Sequence, residues 1–260
     1  MSEFGGKLDE IEEVSIDRFD GDNLKSTAFF LSHCHSDHMV GLNSKEFEEA
    51  LCKRDVYLYC SEISCCILKN DLCYGHLKHK IKALTTAQSH ILTVPSLNDS
   101  RKEICVTLIP AGHCPGSVMF LFELPAGNVL FTGDFRVTMT DVKNLSQLHH
   151  RDGSLKEINT CYLDATFFDE LYPSFPSREE SLKKICDLIK EWLTGDNSNE
   201  ILLVSPARYG CEHIFVGIND AFGMKIHVQH DIFLKYRTIL KIGSAITSKY
   251  DVTRIHACGK

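Results

Sequence analysis

One stretch of the chain joins an apolar run directly to three histidines and an aspartate: Thr27-Ala28-Phe29-Phe30-Leu31-Ser32-His33-Cys34-His35-Ser36-Asp37-His38. The apolar part is typical of a buried strand. In an extended or looping segment after it, side chains two residues apart project to the same side, so positions 33, 35 and 37 can face a single ion. A solvated surface turn is the plain alternative, but polar groups so close to a buried strand are costly without partners. The stretch therefore predicts a metal site at the end of a strand.

Two later positions have the same chemistry, each in a turn that contains glycine. His113 lies in the loop 111–117, between strands predicted at 104–110 and 118–124, and Asp134 follows Gly133 after a strand predicted at 128–131. Glycine lets the backbone turn tightly beside a ligand. Each residue alone could equally be an ordinary loop residue. Together with the first stretch they complete a ligand set for two metal ions.

The character of the sequence changes near residue 155. Strands predicted at 160–163, 201–205 and 224–228 alternate with helices, one beginning after Ser177 and one spanning 212–222. Glu180 completes a capping box with Ser177, and Gly223 ends the second helix. Strands that alternate with helices indicate a parallel sheet. We therefore predict an α/β (α+β) chain with one domain at 1–155 and a second at 156–260.

Composition narrows the classes of protein. The 260 residues contain 43% hydrophobic residues, which is ordinary for a globular chain with a buried core. No apolar run approaches the roughly 18 residues that span a bilayer, so we expect no membrane association. Twelve cysteines without a secretory signal point to a reducing compartment, where most would be small buried residues. The net charge of −7 argues weakly against a nucleic-acid partner, because such proteins usually have a basic patch.

Several motifs resemble those of the metallo-β-lactamase superfamily and, within it, the DNA cross-link-repair nucleases. They are Ser15-Ile16-Asp17-Arg18-Phe19-Asp20, Phe30-Leu31-Ser32-His33-Cys34-His35, Pro110-Ala111-Gly112-His113-Cys114-Pro115-Gly116-Ser117, Thr132-Gly133-Asp134-Phe135-Arg136, Tyr162-Leu163-Asp164 and Pro176-Ser177-Arg178-Glu179-Glu180. The resemblance runs nearly end to end. It implies a metallo-β-lactamase αββα sandwich over 1–155, incomplete in this chain. The start of a β-CASP cap, the nucleic-acid-specific domain of such nucleases, would follow over 156–260.

The resemblance also implies roles for the ligands. His33, His35, His113 and Asp134 would hold one metal, and Asp37 and His38, with Asp134 bridging, a second. The first set is rich in imidazole and suits Zn²⁺, whereas the second could accept Mg²⁺ or Mn²⁺. The expected catalytic carboxylates are Asp17, Asp37, Asp134 and Asp164. Asp17 would orient a ligand and Asp164 would open the cap, although either could be an ordinary strand-end carboxylate.

A structural metal site is expected in the second domain. His227, His256 and Cys258 have zinc-ligand chemistry, and the resemblance implies a zinc held there by two histidines and two cysteines. The sequence offers no obvious fourth ligand, and nothing in it separates His230 from Cys211 as a substitute. Singly, each histidine would more often be an ordinary core residue.

The resemblance implies a nuclear, metal-dependent DNA nuclease. It would act as a 5′–3′ exonuclease and as a structure-specific endonuclease on hairpins and overhangs, in non-homologous end joining and V(D)J recombination. DNA and a DNA-dependent protein kinase would be its partners. One alternative is an RNA-processing β-CASP nuclease or a small-ester hydrolase; another is a truncated, inactive or regulatory form. Because the sequence stops just after a predicted strand, we expect these 260 residues alone to keep the primary ligands but to have weak or no activity.

Overall fold

The computed structural model describes residues 3–96, 100–205 and 209–258. The chain divides into two compact units, Met1–Asp164 and Ala165–Lys260. This division comes later than the boundary predicted after residue 155, because strand Thr160–Tyr162 pairs in parallel with Gly127–Phe131 of the first unit. The metallo-β-lactamase and β-CASP identities of the two parts stay predictions.

The first sheet of unit 1 has five strands in the order of the chain. They are β1 (Lys7–Leu8), β2 (Ile11–Ile16), β3 (Ala28–Leu31), β4 (Leu58–Ser61) and β5 (Ile81–Leu84). Only β1 and β2 are antiparallel. Helices α1 (Lys45–Arg54) and α2 (Glu62–Asn70) lie between later strands, and each begins where a serine side chain, Ser44 or Ser61, accepts a backbone N–H. Short 3₁₀ helices span Gly21–Lys25, Ser36–His38 and Leu72–Leu77.

The second sheet is mostly antiparallel. Its strands are β6 (Ser89–Pro95), β7 (Arg101–Pro110), β8 (Val118–Leu124), β9 (Gly127–Phe131) and β10 (Thr160–Tyr162), with β10 and β6 at the edges. Helix α3 (Met139–Asn144) and a 3₁₀ turn, Ser146–Leu148, connect β9 to β10. The strands predicted around the His113 loop are confirmed.

The two sheets pack face to face over an aromatic core. The ring of Phe30 on β3 lies 5.2 Å from Phe120 and 5.3 Å from Phe122 on β8. Because side chains alternate along a strand, Phe29 points to the opposite face, where it meets Phe47 of α1 at 5.0 Å. The outer face of the second sheet is covered by the segment that includes α3. Unit 1 is thus a four-layered sandwich whose strand ends converge on one side.

Unit 2 contains a parallel sheet with helices between its strands. Its elements are α4 (Arg178–Gly195), β11 (Ile201–Leu202), α5 (Glu212–Phe222), β12 (Ile226–His227), α6 (His230–Tyr236), α7 (Leu240–Ala245), β13 (Ile246–Thr247), a 3₁₀ turn Tyr250–Val252 and β14 (Ile255–His256). The sheet order is β11-β14-β12-β13, parallel throughout. The capping box of Ser177 with Glu180 and the end of α5 at Gly223 are confirmed. The predicted α+β class is also confirmed.

The sequence predicts no membrane-spanning segment, and the lengths and apolar character of the helices bear on this prediction. In the described ranges, no helix combines the length and the apolar character that crossing a bilayer requires.

Candidate metal centre

Four side chains of unit 1 converge at the ends of strands from both sheets. His33 Nε2 lies 3.1 Å from His35 Nδ1, which lies 3.1 Å from His113 Nε2. Asp134 Oδ2 lies 3.6 Å from His33 Nε2 and 3.4 Å from His113 Nε2. The four atoms all lie within 4.8 Å of one another. The structure therefore brings together the four ligands predicted for the first metal.

These separations match a shared ion better than hydrogen bonds. His35 Nδ1 faces two ring nitrogens at once, yet a ring nitrogen carries either one hydrogen or one lone pair. Two ligands of a tetrahedral zinc, each bonded at about 2.0–2.2 Å, lie about 3.3–3.6 Å apart. The separations of 3.1 to 3.6 Å fall around that value. The donor set thus fits a tetrahedral ion.

Glycine permits the close approach of two strand ends. His33 follows β3, and Asp134 follows β9 through Gly133. Gly133 has φ +49°, and a methyl group on it would meet Ser32 Oγ at 2.9 Å. Only a residue without a Cβ adopts this conformation here without strain. The turn therefore brings Asp134 beside His33.

A buried aspartate orients two of the histidines. Asp17 accepts hydrogen bonds from Ser32 N at 2.7 Å, Ser32 Oγ at 2.6 Å and His38 Nδ1 at 2.8 Å. Since the Ser32 hydroxyl donates to Asp17, its oxygen must accept from His33 Nδ1, 2.9 Å away. In the neutral rings this leaves the Nε2 lone pairs of His33 and His38 directed towards Asp134.

Asp17 therefore lies where a residue that orients the predicted ligands would lie. It was predicted among the catalytic carboxylates as one that orients a ligand, and it lies behind His38, only 2% exposed. Its carboxylate has no access to a substrate from that position.

Asp134 faces both predicted metal positions. While Oδ2 faces the first set, Oδ1 lies 3.1 Å from His38 Nε2. That nitrogen is buried and has no partner with hydrogen-bond geometry. Asp37 Oδ2 lies 4.0 Å from the same nitrogen, on a side chain that is 34% exposed. Asp37 and Asp134 thus both lie near His38 Nε2, as predicted for a second ion, but the three residues do not form one of the ligand clusters in the described ranges.

The charges of the metal-free site are strongly coupled. Burial disfavours a charged His38 ring, but contacts with Asp134 and Asp17 raise its pKa to about 10. Burial and the neighbouring His38 charge lower the pKa of His33 well below its ordinary value. Burial opposes the charge of Asp134, yet the histidines lower its pKa to about 2. A cation could take the place of the proton on His38 Nε2, beside Asp134 and Asp37, while Nδ1 keeps its proton towards Asp17.

Asp164 lies close to the Asp134 turn along the backbone. It follows β10, and its N–H donates to Thr132 Oγ1 at 3.0 Å. Strands β9 and β10 are parallel, so both residues follow carboxyl ends of neighbouring strands. The carboxylate of Asp164 is not among the three clusters of ligating side chains in the described ranges.

The second predicted ligand group comes together within unit 2. His227 and His256 are register partners on β12 and β14, and their Nδ1 atoms lie 3.2 Å apart. With Cys258 they form a cluster that contains neither His230 nor Cys211. His256 Nε2 is buried without a hydrogen-bond partner, and Tyr250 stacks on its ring at 4.2 Å.

Three serines that were not predicted support the candidate centre. Ser32 connects His33 to Asp17, although its place immediately before His33 was visible in the sequence. Ser61 and Ser64 contact the carbonyl of Gly116 in the His113 loop. A serine three residues after a helix N-cap gives no sign of such a distant partner.

Comparison with known proteins gives relatives over almost the whole chain. The chain is 40% identical to "Protein artemis" of Rattus norvegicus and of Homo sapiens, over alignments that cover 99% of this chain and 37% of each relative. It is 40% identical to "5' exonuclease Apollo" of Mus musculus over 63% of this chain and 27% of that protein. No family model matches the chain. The chain thus spans little more than a third of the length of the Artemis relatives.

Proposed function

We propose that the chain belongs to the Artemis-like family and is the nuclease part of a metal-dependent DNA repair enzyme, because it is 40% identical to Artemis proteins over 99% of its length. The observation that carries this proposal is the cluster of His33, His35, His113 and Asp134, in which Asp134 also faces His38. One relative is named as a 5′ exonuclease, which supports phosphodiester hydrolysis. We extend the proposal to 5′–3′ exonuclease activity and to cleavage of hairpins and overhangs.

The metals are part of the proposal. The first set offers three imidazoles and one carboxylate and favours Zn²⁺; the second is richer in oxygen and could take Zn²⁺, Mg²⁺ or Mn²⁺. When bound, two such ions activate water and stabilise the leaving oxygen of an in-line displacement. For unit 2 we propose a structural zinc on His227, His256 and Cys258, supported by the facing ring nitrogens.

The chain's own residues would prepare the site for this chemistry. Asp17 fixes the orientation of His38, and through Ser32 that of His33. Asp134 holds both ligand sets at a fixed spacing, because its two oxygens face different histidines. Asp37 and Asp134 are both partly exposed, so the substrate phosphate would approach from the side of these two carboxylates.

The cellular role is the broadest part of the proposal. We propose that the enzyme acts in the nucleus, in non-homologous end joining and V(D)J recombination, on DNA and together with a DNA-dependent protein kinase. Its support is the 40% identity to Artemis proteins. The β-CASP identity of unit 2 is proposed on the same ground, with Asp164 as a further catalytic carboxylate.

The test uses the full-length protein on end-labelled single-stranded DNA, hairpin DNA and RNA of matched sequence. We expect DNA cleavage that stops with a chelator and is nearly abolished in Asp37→Asn. Asp22→Asn, an exposed change outside both ligand sets, is the matched control and should cleave normally. Equal or faster cleavage of RNA would assign the enzyme to RNA processing. Full cleavage by Asp37→Asn would refute the second ligand set.

A further inference from the structure

The loop that carries His113 is folded closely on itself. The side-chain oxygen of Ser117 accepts hydrogen bonds from His113 N at 3.0 Å and from Cys114 N at 3.1 Å. Two backbone bonds close the same loop, from Ala111 N to Ser117 O at 3.1 Å and from Ser117 N to Cys114 O at 3.0 Å. Because these bonds link both ends of the loop, a displacement at one end also displaces His113.

Two further backbone hydrogen bonds connect the loop to the other segments that carry predicted ligands. Arg136 N donates to Ala111 O at 2.7 Å, which connects the loop to the turn that contains Asp134. Directly after the loop, Val118 N donates to Ser32 O at 3.0 Å, at the end of β3. Backbone groups make both bonds, so replacing a side chain by alanine leaves these donors and acceptors in place.

A third connection is made by side chains, from the first turn of α2. Ser61 Oγ donates to Gly116 O at 2.6 Å, and Ser64 Oγ donates to the same oxygen at 3.2 Å. A backbone carbonyl oxygen has two lone pairs, so it can accept both protons. Ser61 and Ser64 are 2% and 0% exposed, so water has little access to the two hydroxyls.

The loop and the first turn of α2 approach each other closely at Gly116. This residue has φ +81°, and a Cβ on it would meet Ser64 Oγ at 2.7 Å, Ser64 N at 2.8 Å and Ser61 Oγ at 3.0 Å. Groups packed at such distances shift together, because no void takes up the change. The position of the loop therefore depends on the two serine side chains.

Ser61 and Ser64 differ in their importance for the helix itself. Ser61 is the N-cap of α2, where its oxygen accepts Ser64 N at 3.1 Å. Its hydroxyl proton can point to Gly116 O at 2.6 Å or to Ser64 Oγ at 3.1 Å, and the shorter distance favours the carbonyl. The hydroxyl of Ser64 has no part in the cap. Its loss therefore removes a bond to the loop and leaves the cap of α2 in place.

We propose that Ser61 and Ser64 are positioning residues for the candidate metal centre. Their hydroxyls hold the carbonyl of Gly116, and the loop in turn holds His113 at the spacing that the first ion requires. The effect on the metal rests on the function proposed above, whereas the attachment of the loop to α2 does not. Neither hydroxyl needs to touch the ion for this role.

Loss of both hydroxyls would leave Gly116 O without these two donors. A carbonyl that loses its donors inside a packed contact is costly, so we expect the loop to move until the oxygen finds another donor. His113 Nε2 would then leave its place 3.1 Å from His35 Nδ1 and 3.4 Å from Asp134 Oδ2. Residues that orient metal ligands typically contribute about tenfold to a hundredfold to metal affinity. We expect about tenfold, because the serines act on the loop and not on the imidazole itself.

Two measurements on the full-length protein test this role in Ser64→Ala and in the double variant Ser61→Ala/Ser64→Ala. Competition with a fluorescent chelator measures the affinity for zinc. Hydrogen–deuterium exchange measures the protection of the amides of loop 111–117 in metal-free protein. In the double variant we expect zinc affinity to fall by about tenfold and the amides of His113 and Cys114 to exchange faster. Ser64→Ala should show both changes to a smaller extent, although the cap of α2 remains.

The matched control is Ser44→Ala, which removes the N-cap of α1. The Ser44 oxygen accepts Phe47 N at 3.1 Å, so this variant also loses a serine cap but keeps both donors to Gly116. It should lower the free energy of unfolding without changing zinc affinity or the exchange of the loop. Ser61→Thr keeps a hydroxyl that can both cap and donate, and it should bind zinc like the natural protein.

Two results would overturn the proposal. One is loop exchange and zinc affinity that stay unchanged in folded Ser64→Ala and in the double variant. The other is an equal loss of zinc affinity in Ser44→Ala, which would make the effect one of general stability. If the double variant does not fold, Ser64→Ala alone decides, because its helix keeps the N-cap. Natural protein that binds no zinc would count against the proposed function, while the exchange of the loop still decides whether α2 holds it.

Discussion

At the scale of single residues, the candidate metal centre depends on groups outside the predicted ligand sets. Asp17 is the clearest case, because it fixes His38 directly and His33 through Ser32. The spacing of histidines within 33–38 is local and could be read from the sequence. The contact of Asp17 with His38 depends on where β2 and β3 end in the folded sheet, so the sequence could suggest Asp17 only through resemblance.

Replacement of Asp17 by asparagine should weaken metal binding by about tenfold to a hundredfold. The amide cannot accept both Ser32 and His38 with the strength of a carboxylate, so the rings lose their orientation. Competition with a fluorescent chelator measures the affinity, and Asp22→Asn is an exposed control. Unchanged affinity would mean that Asp17 is only a structural carboxylate.

The pKa values of His38 and Asp134 predict how the stability of metal-free protein depends on pH. The pKa of His38 is about 10, against an ordinary 6.5, so its contribution is fully present below pH 6.5 and is lost as the pH rises through 10. The pKa of Asp134 is about 2, against 3.8, so its contribution is present above pH 3.8 and is lost as the pH falls through 2.

We therefore expect the midpoint of thermal unfolding of metal-free protein to fall as the pH drops below 3.8 and as it rises above 6.5. His38→Gln should remove most of the alkaline decline, since glutamine does not titrate. A decline between pH 6.5 and 10 that is the same in both proteins would contradict the coupling of His38 to the two carboxylates.

At the scale of elements, the predicted ligands lie at strand ends, and turns that contain glycine orient them. Gly133→Ala should destabilise unit 1, because alanine is strained at φ +49°. It should also weaken metal binding, because the added Cβ would collide with Ser32. Gly153→Ala is the matched control, with φ +84° and nothing within 4 Å. Backbone strain should lower the free energy of unfolding of each variant by about 1 kcal/mol, which urea unfolding measures. Equal losses with equal metal affinity would show that the approach of Ser32 has no role.

Long and well-capped elements were also the ones that the sequence predicted well. Helix α4 carries its capping box in its own sequence, and β8 is a continuous apolar run. Strands β11 and β12 were predicted too long, because their apolar neighbours continue a strand pattern after the pairing with β14 has ended. Helix α2 went unpredicted, since its nine residues are too few for a clear helical period.

At the scale of the whole molecule, metal binding should contribute to stability as well as to activity. An ion that binds only the folded protein raises the free energy of unfolding by about 4 kcal/mol when its free concentration is a thousandfold above its dissociation constant. We expect a chelator to lower the free energy of unfolding by roughly that amount. The variant His113→Ala should respond much less, because it has lost one ligand. A response equal to that of the natural protein would place the stabilising ion elsewhere.

The central claim is that the two ligand sets around Asp134 hold metal ions. Anomalous diffraction from crystals grown with zinc measures this most directly. We predict one peak within about 2.0–2.3 Å of His33 Nε2, His35 Nδ1, His113 Nε2 and Asp134 Oδ2. A second peak should lie beside His38 Nε2, with Asp37 and the other oxygen of Asp134 as ligands. Full-occupancy zinc elsewhere in the molecule, with no peak among these side chains, would contradict the account.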